Sequence, residues 1–122
     1  MNIKQFSECV DVSAYTIRYY EKIGLLKNIC RNSSGHRYFT KKDMEWIKFI
    51  KRLKDTGMPL ETISAYADLR CEGQSTSGHR MQLLEEHTKF LKTKIDIETL
   101  HLKKLEEKIK HYREVINSEI VA

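Results

Sequence analysis

From Ser13 to Tyr20 the chain reads Ser-Ala-Tyr-Thr-Ile-Arg-Tyr-Tyr, a run rich in groups that hydrogen-bond to oxygen without reacting with it. Arg18 can reach a phosphate or, through its fork of N–H donors, a guanine edge. The hydroxyls of Tyr19 and Tyr20 suit phosphate oxygens. Tyr20 stands three residues beyond Ile17, so core packing is its alternative; for Arg18 the alternative is plain solvation. A second cluster, His36-Arg37-Tyr38, repeats the same chemistry. Arg37 is the residue expected on a phosphate backbone, with His36 beside it and Tyr38 either touching the polyanion or bracing its own segment. The chain has no nucleophile–base set and no Gly-rich phosphate loop, so the reading is not an enzyme and needs no cofactor.

Charge supports a polyanion partner. Met1 to Lys54 carries 12 Lys and Arg against 5 Asp and Glu, a balance of +7, whereas Asp55 to Ala122 carries 10 against 12, a balance of −2. Solubilising charge is ordinarily mixed along a chain; a basic half joined to a near-neutral half points to nucleic acid.

The elements that must position these groups follow from spacing. Ile3, Phe6 and Val10 lie three and four apart, which predicts a short amphipathic helix with Cys9 beside Val10 in its core. After a break at Asp11-Val12, Ser13 can cap a second helix running from Ala14 to about Ile23 and stopping at Gly24. Two short helices joined by a tight turn make a helix-turn-helix, and Ser13, Ala14, Tyr15 and Thr16 then lie at the end of the second helix that points into the major groove. Asn32-Ser33-Ser34-Gly35 is turn chemistry within Lys27 to Thr40, predicting a small β-hairpin or wing. Thr40-Lys41-Lys42-Asp43 resembles a capping box and opens a helix with Met44, Ile47, Ile50 and Leu53 on one face and Trp46 and Phe49 adding bulk. Gly57 ends that helix, Pro59 suits the start of the next, and Leu60, Ile63 and Ala67 give the latter its buried side.

Gly73 to Gly78 interrupts the pattern, and from about His79 onward there is no Pro or Gly. Leu84, Leu91, Leu105 and Tyr112 occupy one heptad position; Ile95, Leu102, Ile109 and Ile116 occupy the other, with Thr88 and Glu98 as exceptions. Such a seam on one helix predicts a coiled coil with a second copy of the chain; its alternative is a helix lying back on its own domain. Strand direction is also readable. In a parallel pair Glu98 would face Glu98 and Lys108 would approach Arg113, both repulsive. Run antiparallel about a dyad near Thr99, Ile95 meets Leu105, Leu91 meets Ile109 and Leu84 meets Ile116. The expected fold is therefore mainly α: a winged helix-turn-helix DNA-binding domain over residues 1–74, then a dimerisation helix over 75–122 forming an antiparallel coiled coil.

Thr16-Ile17-Arg18-Tyr19-Tyr20-Glu21 followed by Gly24-Leu25-Leu26 resembles the MerR family of bacterial transcription regulators. Gly35-His36-Arg37-Tyr38-Phe39 with Asp43 is similar to the family's second hallmark, and Leu53 to Leu60 to its third; with the long helix, the resemblance covers essentially the whole chain. It implies a homodimer on double-stranded promoter DNA that bends and untwists an over-long spacer, bringing both promoter elements within reach of bacterial RNA polymerase. It also implies an inducing signal, which these residues do not identify. Metal-sensing relatives use paired cysteines after the long helix, and this chain has none there. The thiol and aldehyde-stress branch is most similar over Phe49 to Met58, but Lys51-Arg52-Leu53 stands where that branch carries its cysteine.

Three cysteines, Cys9, Cys30 and Cys71, have no close spacing and predict neither a disulfide framework nor a zinc clip. Cys71 is a candidate redox sensor, because Arg70 and Arg80 would favour a thiolate; its alternative is a small residue filling space at a helix end. His79, His87, His101 and His111 lack metal-like pairing, so no metal is expected. With no apolar leader or membrane span, the expected location is the cytoplasm. An architectural or excisionase-type winged-helix protein remains the rival reading, and an interaction coiled coil with a basic appendage a third.

Overall fold

A computed structural model describes residues 1–121. It contains two compact units, Met1–Leu84 and a second beginning at Glu85. The element order is α1 (Ile3–Val10), α2 (Ala14–Lys22), β1 (Cys30–Arg31), β2 (Arg37–Tyr38), α3 (Lys41–Asp55), α4 (Leu60–Glu72), a 3-10 turn (Gln74–Thr76) and α5 (Ser77–Val121). The fold is mainly α with one two-stranded wing, as expected.

Local chemistry sets the boundaries in the first unit. Asn2 and Gln5 form a reciprocal capping box on α1. Asp11 adopts a left-handed conformation at φ 54°, a state that Asp tolerates because its short side chain clashes little there. This residue turns the chain between α1 and α2. Gly24, at φ +85°, performs the corresponding stop after α2, where a β-carbon would be strained. Thr40 and Asp43 form the capping box of α3 that their spacing predicts, Thr40 N–H donating to Asp43 at 2.9 Å and Asp43 N–H to Thr40 Oγ1 at 3.3 Å.

The core of this unit joins helices α1 through α4 and the base of the wing. Phe6, Ile17, Leu25, Leu26, Phe39, Ile47, Ile50 and Ile63 are fully buried. Phe6 stacks on Phe39 with ring centroids 4.3 Å apart, fastening the base of the wing to α1. Trp46 Nε1–H donates to the Leu25 carbonyl at 2.7 Å, so the indole's one polar atom is satisfied where it is buried.

Two expectations need correction. Cys9 is exposed rather than in the core. The buried stripe of α1 passes through Phe6 and Val10, and a residue one position before Val10 points about 100° away. Leu60 is 40% exposed, and Met58 in the preceding turn is buried instead. The long helix starts at Ser77, with Gly78 inside its first turn. Leu84 still packs against the core of the first unit.

In the second unit α5 carries a row of exposed apolar side chains, including Ile95, Leu102, Leu105, Ile109, Tyr112 and Ile116, each more than half exposed. Phe90, Ile97 and Leu100 widen this apolar surface beyond the heptad seam. Among the described residues no helix is long and apolar enough to cross a membrane.

Candidate nucleic-acid interface

Ser13 begins the site. Its Oγ accepts from Thr16 N–H at 3.1 Å and donates to Thr16 Oγ1 at 2.9 Å, which fixes the first turn of α2. From that start, Ile17 and Tyr20 turn inward and are buried, while Tyr15, Arg18, Tyr19 and Lys22 point out. The spacing of these four, three and four residues apart, places them on one helical face. Tyr15 is 80% exposed. Arg18 makes no hydrogen bond or ion pair to another described residue, so its five N–H donors are available. Ala14 and Thr16 are half-buried at the same end. Lys22 completes the face, a place consistent with its seven-residue spacing after Tyr15.

Tyr20 does not join that face. It is 4% exposed, and its hydroxyl accepts from Lys54 Nζ at 3.0 Å, with the ammonium 5.4 Å from the ring centroid. The periodicity that buries Ile17 also buries a residue three positions on, so Tyr20 holds α2 against α3 instead of offering its hydroxyl outward.

The wing is an antiparallel pair with Cys30 opposite Tyr38 and Arg31 opposite Arg37. Asn32 Oδ1 accepts from the N–H groups of Ser34 and His36, and Gly35 takes φ +81° to close the turn. His36 and Tyr38 are exposed, Arg37 is half-buried and Phe39 is buried. Arg37 is not a free cation: its Nε–H faces both carboxylate oxygens of Glu21, at 3.1 and 3.3 Å. Arg31 reaches the same carboxylate through Nη2 at 3.5 Å and the Gly35 carbonyl through Nη1 at 3.0 Å. Glu21 lies on α2, so a carboxylate links the helix to both strands of the wing. Neither Glu21 nor Arg31 was singled out from the sequence, because no periodic rule connects residues 10 and 16 positions apart.

Cys71 is exposed. The two guanidinium groups expected to favour its thiolate have other partners. Arg70 lies 4.3 Å over the Trp46 ring, and Arg80 donates to Thr76 Oγ1 at 3.1 Å and to the Gly73 carbonyl at 3.3 Å. Lys27 is a cation near Cys71 that sequence spacing did not reveal. Its ammonium donates to Asp68 Oδ1 at 2.8 Å, and that hydrogen bond holds it above the usual lysine range, with Cys71 a lesser contributor. Among the described residues no group of three or more His, Cys, Asp or Glu is arranged to hold a metal.

Comparison with known proteins agrees with this geometry. The profile of a family described as "MerR HTH family regulatory protein" matches residues 1–69, and one described as "MerR, DNA binding" matches residues 44–97. An HTH-type transcriptional regulator of Haemophilus influenzae is 39% identical over 107 residues, covering 88% of this chain and 79% of the relative. A crystal structure described as a MerR family transcriptional regulator from Listeria monocytogenes superposes with a TM-score of 0.87 at 42% identity, over 92% of this chain and 85% of that one. HiNmlR, a MerR family regulator lacking the sensor domain and solved bound to promoter DNA, superposes with a TM-score of 0.82 at 37% identity, over 93% of this chain and 90% of its own.

Proposed function

Because the chain belongs to the MerR family of helix-turn-helix transcriptional regulators, we propose that it binds double-stranded promoter DNA as a homodimer and activates transcription by distorting the promoter spacer. The observation that carries this reading is the exposed Tyr15-Arg18-Tyr19-Lys22 face of α2 beside a wing bearing His36, Arg37 and Tyr38. A helix presented this way enters the major groove, while the wing meets the flanking backbone. HiNmlR, similar over nearly its whole length, was solved bound to promoter DNA.

The dimer reading rests on the exposed seam of α5. Apolar side chains at Leu91, Ile95, Leu102, Leu105, Ile109, Tyr112 and Ile116 recur in heptads, and their burial against a second copy removes them from water. Leu84 would contribute from its place at the edge of the first unit's core. Two half-sites are needed energetically: smoothly bending a duplex site of about 20–30 bp costs about 1–6 kcal/mol, which contacts at both ends must offset. A spacer bent and untwisted by this grip brings both promoter elements onto one face for RNA polymerase. The site of action is the cytoplasm, where that DNA lies.

Transcription in vitro from a promoter upstream of the coding gene tests this reading. With the natural over-long spacer, the protein should raise transcript yield. With the spacer shortened to ordinary length by one or two base pairs, basal transcription should rise and the protein's stimulation should vanish. Equal stimulation at both lengths would rule out spacer distortion and favour an architectural role.

A further inference from the structure

A carboxylate on a DNA-facing helix is repelled by phosphate, so the position of Glu21 needs a reason. The wing supplies one. Arg31 and Arg37 are directly opposed across β1 and β2, and like charges facing each other across a hairpin are destabilising. Glu21 lies against both guanidinium groups, at 3.5 and 3.1 Å, and its side chain is only 24% exposed. It neutralises the repulsion inside the wing and ties that wing to α2. The contact is also selective about edges. Arg37 spends its Nε–H on Glu21, and its two terminal NH2 groups have no hydrogen-bond partner among the described residues. The edge formed between the two NH2 groups is therefore left for a second bidentate contact, of the kind that suits a phosphate.

We propose that Glu21 is a positioning residue for DNA recognition: it fixes Arg37 and the wing in register with the bases that α2 reads. The proposal rests on the DNA-binding reading above and adds a division of labour to it. The charge of Arg37 attracts any duplex. Its orientation, set by Glu21, matters only where the helix must be seated on a particular sequence.

The test uses the full chain and two duplexes, one enriched from a random pool by the wild-type protein and one of scrambled sequence. Glu21→Gln keeps the side-chain shape and removes the charge. Its affinity for the enriched duplex should fall about tenfold, the scale of a lost charge-assisted hydrogen bond, while affinity for the scrambled duplex holds or rises because a negative charge has left the interface. Arg37→Lys retains the cation but cannot engage Glu21 and a phosphate through separate edges, so it should show the same selective loss. The double variant should lose little more than either single one, because both remove one coupled unit. If Glu21→Gln does not fold by circular dichroism, Arg37→Lys decides. Wild-type discrimination in both single variants, or an equal loss on both duplexes, would overturn the proposal. Failure of the wild-type protein to enrich any sequence is a separate result, which would overturn the DNA-binding reading and this inference with it.

Discussion

Among single residues, the outward and inward sides of α2 are the decisive feature. Helical spacing alone separates Tyr15, Arg18 and Tyr19 from Ile17, and the structure adds that Tyr20 goes with Ile17. Tyr20 takes the core place that was its alternative, which the residue types do not reveal, since both hydroxyls look equally suited to phosphate until burial is known. The Glu21 bridge was not legible at all, because it closes only once the wing folds back on α2. These placements give different expectations for substitutions on the same surface. On the proposed reading, Arg37→Ala removes both a phosphate contact and the partner of Glu21, so affinity should weaken for every duplex, most for the enriched one, and the slope of log affinity against log salt should flatten by about 0.9. Tyr15→Ala, at the tip of the helix, should instead change which sequences a random pool yields. Titrations at several salt concentrations check the first, and an unchanged slope for Arg37→Ala would remove it from the interface.

Among elements, the short helices were readable because their ends are written in side chains that cap them. Ser13 and the Thr40–Asp43 pair act in the structure as their spacing predicts. The wing's turn was readable for the same reason, from Asn32 and Gly35. Burial at element edges was not: Cys9 and Leu60 each lie one face away from the apolar stripe, and no neighbour in sequence shows which way the stripe closes. The seam of α5 is legible as a period with Ile95, Leu105 and Ile109 exposed, and in the proposed dimer the direction of the partner helix is a testable expectation. With Cys9, Cys30 and Cys71 replaced by Ser, Leu91→Cys alone should not cross-link. Antiparallel pairing separates its two copies by 18 positions, about 27 Å at 1.5 Å per residue, and a disulfide needs Cα atoms within about 7 Å. Leu91→Cys with Ile109→Cys in one chain should cross-link readily on mild oxidation. Equally fast cross-linking by the single variant would mean parallel helices.

At the scale of the whole molecule, the charge division and the apolar seam belong to one design. The first 54 residues hold a balance of +7, and the remainder is near neutral with the heptads. In the proposed function, one half attracts a polyanion and the other joins two such halves. The inducing signal was not legible, because sensing chemistry would have to be read from clustered ligands or a thiolate environment. Arg70 and Arg80, the cations expected to favour a Cys71 thiolate, contact Trp46 and Thr76 instead. In the proposed function two chains grip two half-sites of one duplex. The most direct test is the mass of the complex, by sedimentation equilibrium, on a duplex enriched from a random pool. Two chains per duplex on a sequence containing an inverted repeat is the predicted result. One chain per duplex on an unrepeated site would contradict the account.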